Sequence, residues 1–104
     1  MDKQSFHSLS ELVMQQAKEK GFGTSASKID VAEKFVLIHS EVTEAFEAYR
    51  KGNRDGDNGL AEELGDIIQR VLHLAGCLNI DIEDAILKKL EKNKGRNWER
   101  KENA

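Results

Sequence analysis

Apolar residues recur along this chain at steps of three and four, the spacing of one helix face, in four separate stretches. The first predicts a helix over about 8–20. Ser8 and Glu11 have the spacing of a capping box there, and Gly21 and Gly23 stop the pattern. The second predicts a helix over about 30–51, with Asp30 and Glu33 at its start and Gly52 after its end. Its apolar positions are Val31, Phe35, Ile38, Val42, Ala45, Phe46 and Tyr49. The third, about 59–78, is apolar around much of its circumference, from Leu60 and Leu64 through Ile67, Ile68 and Val71 to Leu78. A helix of that kind belongs at the centre of a bundle or in a subunit interface. The fourth covers about 82–94, with Asp81 as N-cap and Ile82, Ala85, Ile86 and Leu90 as its packing stripe. Lysines near its C-terminal end suit the helix dipole. Proline is absent and strand signals are weak, so the fold class is all-α. Between the second and third helices lies a polar turn, 52–59, rich in Gly, Asn and Asp.

Composition narrows the class of protein. A length of 104 residues suits one domain, 1–104, with a basic tail from about 95 onward. So short a chain buries a modest core, which favours association with copies of itself. With 38% apolar and 34% charged residues, the chain reads as a globular protein with a charged surface rather than a disordered one. No apolar run approaches the ~20 residues that span a bilayer. The first residues, Met1-Asp-Lys-Gln4, lack the apolar core of a secretory signal. A lone cysteine, Cys77, excludes an internal disulfide. Together these features point to the cytoplasm. Cys77 lies in an apolar stretch and reads as a small core residue, not a nucleophile.

Charge is unevenly spread. The net charge is −3, yet Lys88, Lys89, Lys92, Lys94, Arg96, Arg100 and Lys101 crowd one segment near the C-terminus. An acidic body with a basic end points to an anionic partner: a nucleotide phosphate or a nucleic acid. The acidic body and the lack of a recognition-helix motif make nucleic acid the weaker reading.

The chemistry concentrates on the second and third helices. Glu41-Val-Thr-Glu44 and Glu63-Leu-Gly-Asp66 each place two carboxylates three residues apart, on one helix face. The midpoint between the two pairs falls inside the turn at 52–59. An antiparallel hairpin therefore brings both pairs to the same height. Four carboxylates in a small volume repel strongly, and a divalent cation relieves that repulsion. Hard oxygen ligands favour Mg²⁺, with Mn²⁺ as a substitute. Glu47 and Glu62 fall outside the pairing; Glu62 is a candidate auxiliary ligand or water-orienting base. A di-iron bundle needs a Glu-x-x-His step, and Gln4, Val36 and Arg70 stand three residues before His7, His39 and His73. His39 lies about 200° round the helix from Glu41 and faces away; His39 and His73 read as packing or interface residues. Asp55-Gly-Asp57 lacks the loop length and ligand order of a calcium hand.

Three stretches resemble the MazG-like family of all-α nucleoside triphosphate pyrophosphohydrolases: Glu33–Gly52, then Ala61–Ile68, then Lys89–Arg96. The family's ExxE…ExxD metal motif falls on Glu41, Glu44, Glu63 and Asp66. Its looser basic motif falls on Lys92, Asn93 and Arg96, with Lys89 one turn earlier. Relatives often continue with proline and an aromatic residue, where this chain has Asn97-Trp98. The resemblance implies a four-helix bundle-like fold, and Mg²⁺-dependent hydrolysis of a nucleoside triphosphate to monophosphate and pyrophosphate. It implies Glu41 or Glu44 as the group that orients or deprotonates water. It implies Lys89, Lys92 and Arg96 as phosphate ligands, and Asn93 as a partner of sugar or base. Lys34, seven residues before Glu41, shares its face and joins the substrate-binding set. Dimers, or dimers of dimers, are also implied, with the basic end completing a neighbour's site. The competing reading is a non-catalytic helical dimer that binds nucleotide or nucleic acid through its basic tail.

Overall fold

The computed structural model describes residues 5–96, and these form four α-helices with no strand among them. Helix α1 is Phe6–Lys20, α2 is Val31–Arg50, α3 is Leu60–Cys77 and α4 is Ile82–Lys94; a short 3₁₀ turn, Ala26–Lys28, precedes α2. The starts of α2 and α4 follow the expected caps. Asp30 Oδ1 accepts the Glu33 N–H at 3.1 Å, and Asp81 Oδ1 accepts the Asp84 N–H at 3.0 Å. Each such cap is worth about 1 kcal/mol. Helix α1 begins earlier than the capping-box spacing predicts. Ser5 is the cap, and its Oγ accepts the N–H of Ser8, so Ser8 is a first-turn residue and not the start.

Left-handed residues end three of the helices. Gly21 (φ 74°), Gly52 (φ 74°) and Asn79 (φ 60°) reverse the chain. The following N–H groups of Phe22, Asn53 and Ile80 then reach back to the carbonyls of Ala17, Ala48 and Ala75. This arrangement satisfies carbonyls that a helix end otherwise leaves unpaired. In the α2–α3 turn, Asn53 does the work of a scaffold. Its Oδ1 accepts the Gly56 N–H at 3.0 Å and its Nδ2 donates to the Asp57 carbonyl at 3.1 Å. The Leu60 N–H closes the turn on the Asn53 carbonyl at 2.8 Å. Glu62 is absorbed here as well, since its Oε1 accepts the Asn58 N–H at 3.1 Å.

Helix α3 is central: α1 and α2 both pack against it. A Cβ at Gly76 would run into the Met14 side chain, so α1 and α3 approach closely at that level. Leu72, Leu74, Ala75 and Cys77 are buried on α3, facing Ala17 of α1 and Ala45 and Ala48 of α2 among the buried set. The inward stripe of α2 is Glu41, Ala45 and Ala48. Small residues there allow the two helices to lie close. The bulkier Phe35, Val42, Phe46 and Tyr49, expected on the packing face, are instead exposed. Helix α4 buries no residue, and Ile86, Leu87 and Leu90 of its apolar stripe are exposed. No helix among the described residues is long and apolar enough to cross a membrane. Trp98, Arg100 and Lys101 lie outside the described residues.

Candidate functional site

The hairpin brings three of its four paired carboxylates together. One carboxylate oxygen each from Glu41, Glu44 and Glu63 lies within 4.8 Å of the others. Asp66 stands outside that triad but borders the same cavity as Glu41. Glu41 and Glu63 are buried, at 8% and 6% exposure, whereas Glu44 is exposed. Two buried acids on adjoining helices are costly unless each finds a counter-charge.

They are balanced differently. Glu41 has a counter-ion: Arg70 Nε donates to its Oε2 at 2.8 Å, joining α3 to α2. Glu63 has none, and its Oε1 is buried without a hydrogen-bond partner among the described residues. Burial pushes the Glu63 carboxyl above its ordinary value, and the negative charges of Glu44, Glu41 and Asp66 push it further. A buried, unpartnered oxygen beside two other carboxylates is a donor set that fits a divalent cation. Oxygen-only donors of this kind match hard ions. Glu41, Glu44 and Glu63 are the residues that could hold it, with Asp66 adjacent.

A cavity of about 400 Å³ opens beside the triad, between α1, α2 and α3. Glu41 and Asp66 supply its acidic edge, and Lys34 and Arg70 its cations. Gln16, Gln69, Phe22 and His73 line the remainder with amides and rings. His73 Nε2 is 2.8 Å from the Gly23 carbonyl, which ties the α1–α2 connection to α3. Gly23 (φ 91°) has no room for a side chain: a Cβ there would lie 2.7 Å from the Lys28 carbonyl oxygen. His39 is exposed on α2, and Cys77 is buried, its thiol pushed above its ordinary value by burial. Lys34, seven residues before Glu41 on α2, lines the same cavity as that carboxylate.

The α4 residues stand elsewhere. Lys89 and Asn93 line a separate groove of about 280 Å³ with Ala85, Ile86 and Leu90. Arg96 Nη1 donates to Asn93 Oδ1 at 3.3 Å, and Lys92 is exposed. None of the four borders the cavity beside the carboxylates. Sequence reasoning did not assign Arg70, Gln16, Gln69 or Phe22 to the site. Arg70 carried a usable signal, since it lies four residues after Asp66 and so shares its face of α3. The cavity-lining residues of α1 carried none, because its packing angle on α3 is not written in any local pattern.

The family model for the MazG nucleotide pyrophosphohydrolase domain matches residues 31–100, a span that covers α2, α3 and α4. No curated protein and no solved structure matches the chain.

Proposed function

The chain belongs to the MazG nucleotide pyrophosphohydrolase family, and from that premise we propose that it hydrolyses a (deoxy)nucleoside triphosphate to the monophosphate and pyrophosphate, with Mg²⁺ at the carboxylate cluster and Mn²⁺ able to replace it. The observation that carries this reading is the triad of Glu41, Glu44 and Glu63, two of them buried, with one Glu63 oxygen unpartnered. A bound cation would relieve the mutual repulsion of such a cluster. The role is house-cleaning of the nucleotide pool.

The residues divide the work by position. A bound Mg²⁺ supplies neutralisation of charge on the phosphate oxygens and acidifies the attacking water. Glu63 and Glu41, fixed by burial, hold the site, and Asp66 completes its rim. Glu44 is exposed beside the two buried acids, so it takes the proton of the water, and Glu41 orients it. The water oxygen bonds to phosphorus, the α–β bridging P–O bond breaks, and pyrophosphate leaves with that oxygen. Lys34 faces the phosphates from the cavity wall. Lys89, Lys92, Asn93 and Arg96 hold the outer phosphates from α4 of a neighbouring copy. A homodimer, or a dimer of dimers, is supported by the exposed stripe of Val42, Phe46 and Tyr49 on α2, by Leu64 and Ile68 on α3, and by the exposed stripe of α4. Patches of that extent mark interfaces in soluble proteins.

The test is direct. Each common dNTP and NTP is incubated with the protein and Mg²⁺, and pyrophosphate is measured. Pyrophosphate release that disappears with EDTA supports the proposal. Orthophosphate as the product, or no turnover of any nucleotide, overturns it. Calorimetry showing nucleotide binding without turnover would leave the non-catalytic reading standing.

A further inference from the structure

Arg70 has no part in the motif that carries the family, yet it is the only basic side chain bonded to the candidate metal ligands among the described residues. The other ion pairs there lie within one helix or between sequence neighbours. Arg70 spans 29 positions in sequence to reach Glu41. Its side chain is 39% exposed and that of Glu41 is 11% exposed, so the guanidinium bridges a buried acid and the open cavity.

We propose that Arg70 is a bifunctional residue of this site: Nε pairs with the Glu41 carboxylate and competes with a cation for it, while the terminal amino groups bind the triphosphate chain entering the cavity. The inference rests on the pyrophosphohydrolase reading and names a residue that the reading lacks.

Three observations carry it. The first is geometry. Nε makes the one side-chain hydrogen bond Arg70 has among the described residues, and the residue lines the cavity of about 400 Å³. A guanidinium offers five donors in a planar fork, so it serves a carboxylate along one edge and a phosphate along another. The second is charge. Glu41, Glu44, Glu63 and Asp66 bring four negative charges to one place, and a single divalent ion offsets half of them. Lys34 and Arg70, the two cations of the cavity wall, offset the remainder. Without them a polyanion would approach a site that is still negative, against a repulsion that partial burial strengthens. The third is competition. In the absence of metal, Arg70 neutralises Glu41 and so opposes cation binding at that carboxylate. Once phosphate oxygens share the guanidinium, that opposition weakens. Metal and nucleotide then favour one another, as linkage requires of two ligands coupled through one group.

This produces a signature that a merely structural arginine lacks. In full-length protein, Mn²⁺ affinity is measured by electron paramagnetic resonance without nucleotide. Binding of α,β-imido deoxynucleoside triphosphates and of the matching monophosphates is measured by calorimetry with Mg²⁺. Arg70→Gln is expected to bind Mn²⁺ more tightly than wild type. It is also expected to lose at least about tenfold in affinity for the triphosphate analogues, the scale of one charge-assisted hydrogen bond. Monophosphate affinity changes by less. In turnover, KM rises more than kcat falls. Arg70→Lys keeps the charge but has one nitrogen for two acceptors, so it recovers only part of the triphosphate affinity. Unchanged triphosphate binding in Arg70→Gln overturns the proposal. So does joint loss of Mn²⁺ and triphosphate binding with a lowered Tm, which marks a structural role. If wild type binds the analogues in an Arg70-dependent way but hydrolyses no nucleotide, the arginine inference stands and the catalytic reading fails. If wild type releases pyrophosphate and Arg70→Gln matches it in KM, the reverse holds.

Discussion

The α2–α3 hairpin and α4 carry the two halves of the expected site, and they are built in opposite ways. The hairpin buries charge: Glu41 and Glu63 are turned inward while Phe46 and Ile68 are left at 57% and 51% exposure. Helix α4 buries nothing and displays both its lysines and its apolar stripe. The hairpin half is complete within one chain, because a turn braced by Asn53 sets the height at which the acidic pairs meet. The α4 half lies outside the cavity that it is expected to serve. A charge that is buried at a cost needs a local reason, whereas an exposed charge can wait for a partner. The difference separates residues that the fold of one chain already gathers from residues that, on the proposed function, a second chain would have to bring.

The largest test of that contrast strikes the buried half. Glu63→Gln removes a negative charge from a position with no counter-ion among the described residues. Pyrophosphate release should fall by at least about a hundredfold, since even indirect supports of metal ligands cost about 10–100-fold. The protein should remain folded by circular dichroism. Near-normal turnover would show that the cluster is incidental.

A second test strikes the recruited half. Lys92→Ala should raise KM about tenfold, the scale of one charge-assisted contact, with kcat and Tm little changed. Mixing it with Glu63→Gln sharpens the comparison. Assayed at substrate far below the wild-type KM, where a Lys92→Ala site works at about a tenth of the normal rate, half of the reassembled dimers hold one intact site if α4 completes a neighbour's site, and activity rises to about a quarter of wild type. If α4 folds back onto its own hairpin, mixing restores nothing.

The exposed stripe of α2 supplies a third, smaller effect. Phe46→Asp should convert an assembled form to monomer by light scattering, because a charge at the centre of an apolar contact is expensive to bury. The fall in kcat should be as small as in Lys92→Ala, while KM rises at least as far, since loss of the neighbour is loss of all of its α4. Assembly that survives Phe46→Asp would place the interface elsewhere.

These contrasts follow what was legible in the residues. The four helices and the turn were readable because caps, glycines and apolar spacing are local signals. The meeting of Glu41, Glu44 and Glu63 was readable because a hairpin converts sequence symmetry into spatial coincidence. Three things were not. Phe35, Val42, Phe46 and Tyr49 belong to an apolar stripe, but periodicity shows that a stripe exists, not whether the same chain covers it. Ala45 and Ala48, weaker as hydrophobic signals, won the packing face because small side chains allow α3 to approach. Arg70 went unassigned because a basic residue on an apolar helix has many ordinary explanations, and only the fold brings it to Glu41. The cavity wall from α1, with Gln16 and Phe22, depends on a helix crossing that no local pattern encodes.

The smallest effect probes the buried half without any substrate. The Glu63 carboxyl titrates above its ordinary value, chiefly through burial and then through Glu44, Glu41 and Asp66. Between the ordinary and the raised value, the folded chain therefore binds more protons at this position than the unfolded chain. The contribution of Glu63 to stability is then fully present below the ordinary carboxyl range and is lost as pH rises through the raised value. Glu63→Gln has no charge to bury and escapes that loss. In EDTA, its Tm should exceed that of wild type at pH 8, and the gap should close as the pH falls to about 3, where the wild-type carboxyl is protonated in both states. Adding Mg²⁺ at pH 8 should raise the Tm of wild type and leave that of Glu63→Gln nearly unmoved, reversing the order, because a ligand stabilises only the folded state that holds it. A Glu63→Gln protein less stable than wild type at pH 8 in EDTA would mean that the carboxylate is already satisfied within the protein. The contrast between a half that needs a cation and a half that waits for a phosphate would then lose its physical basis.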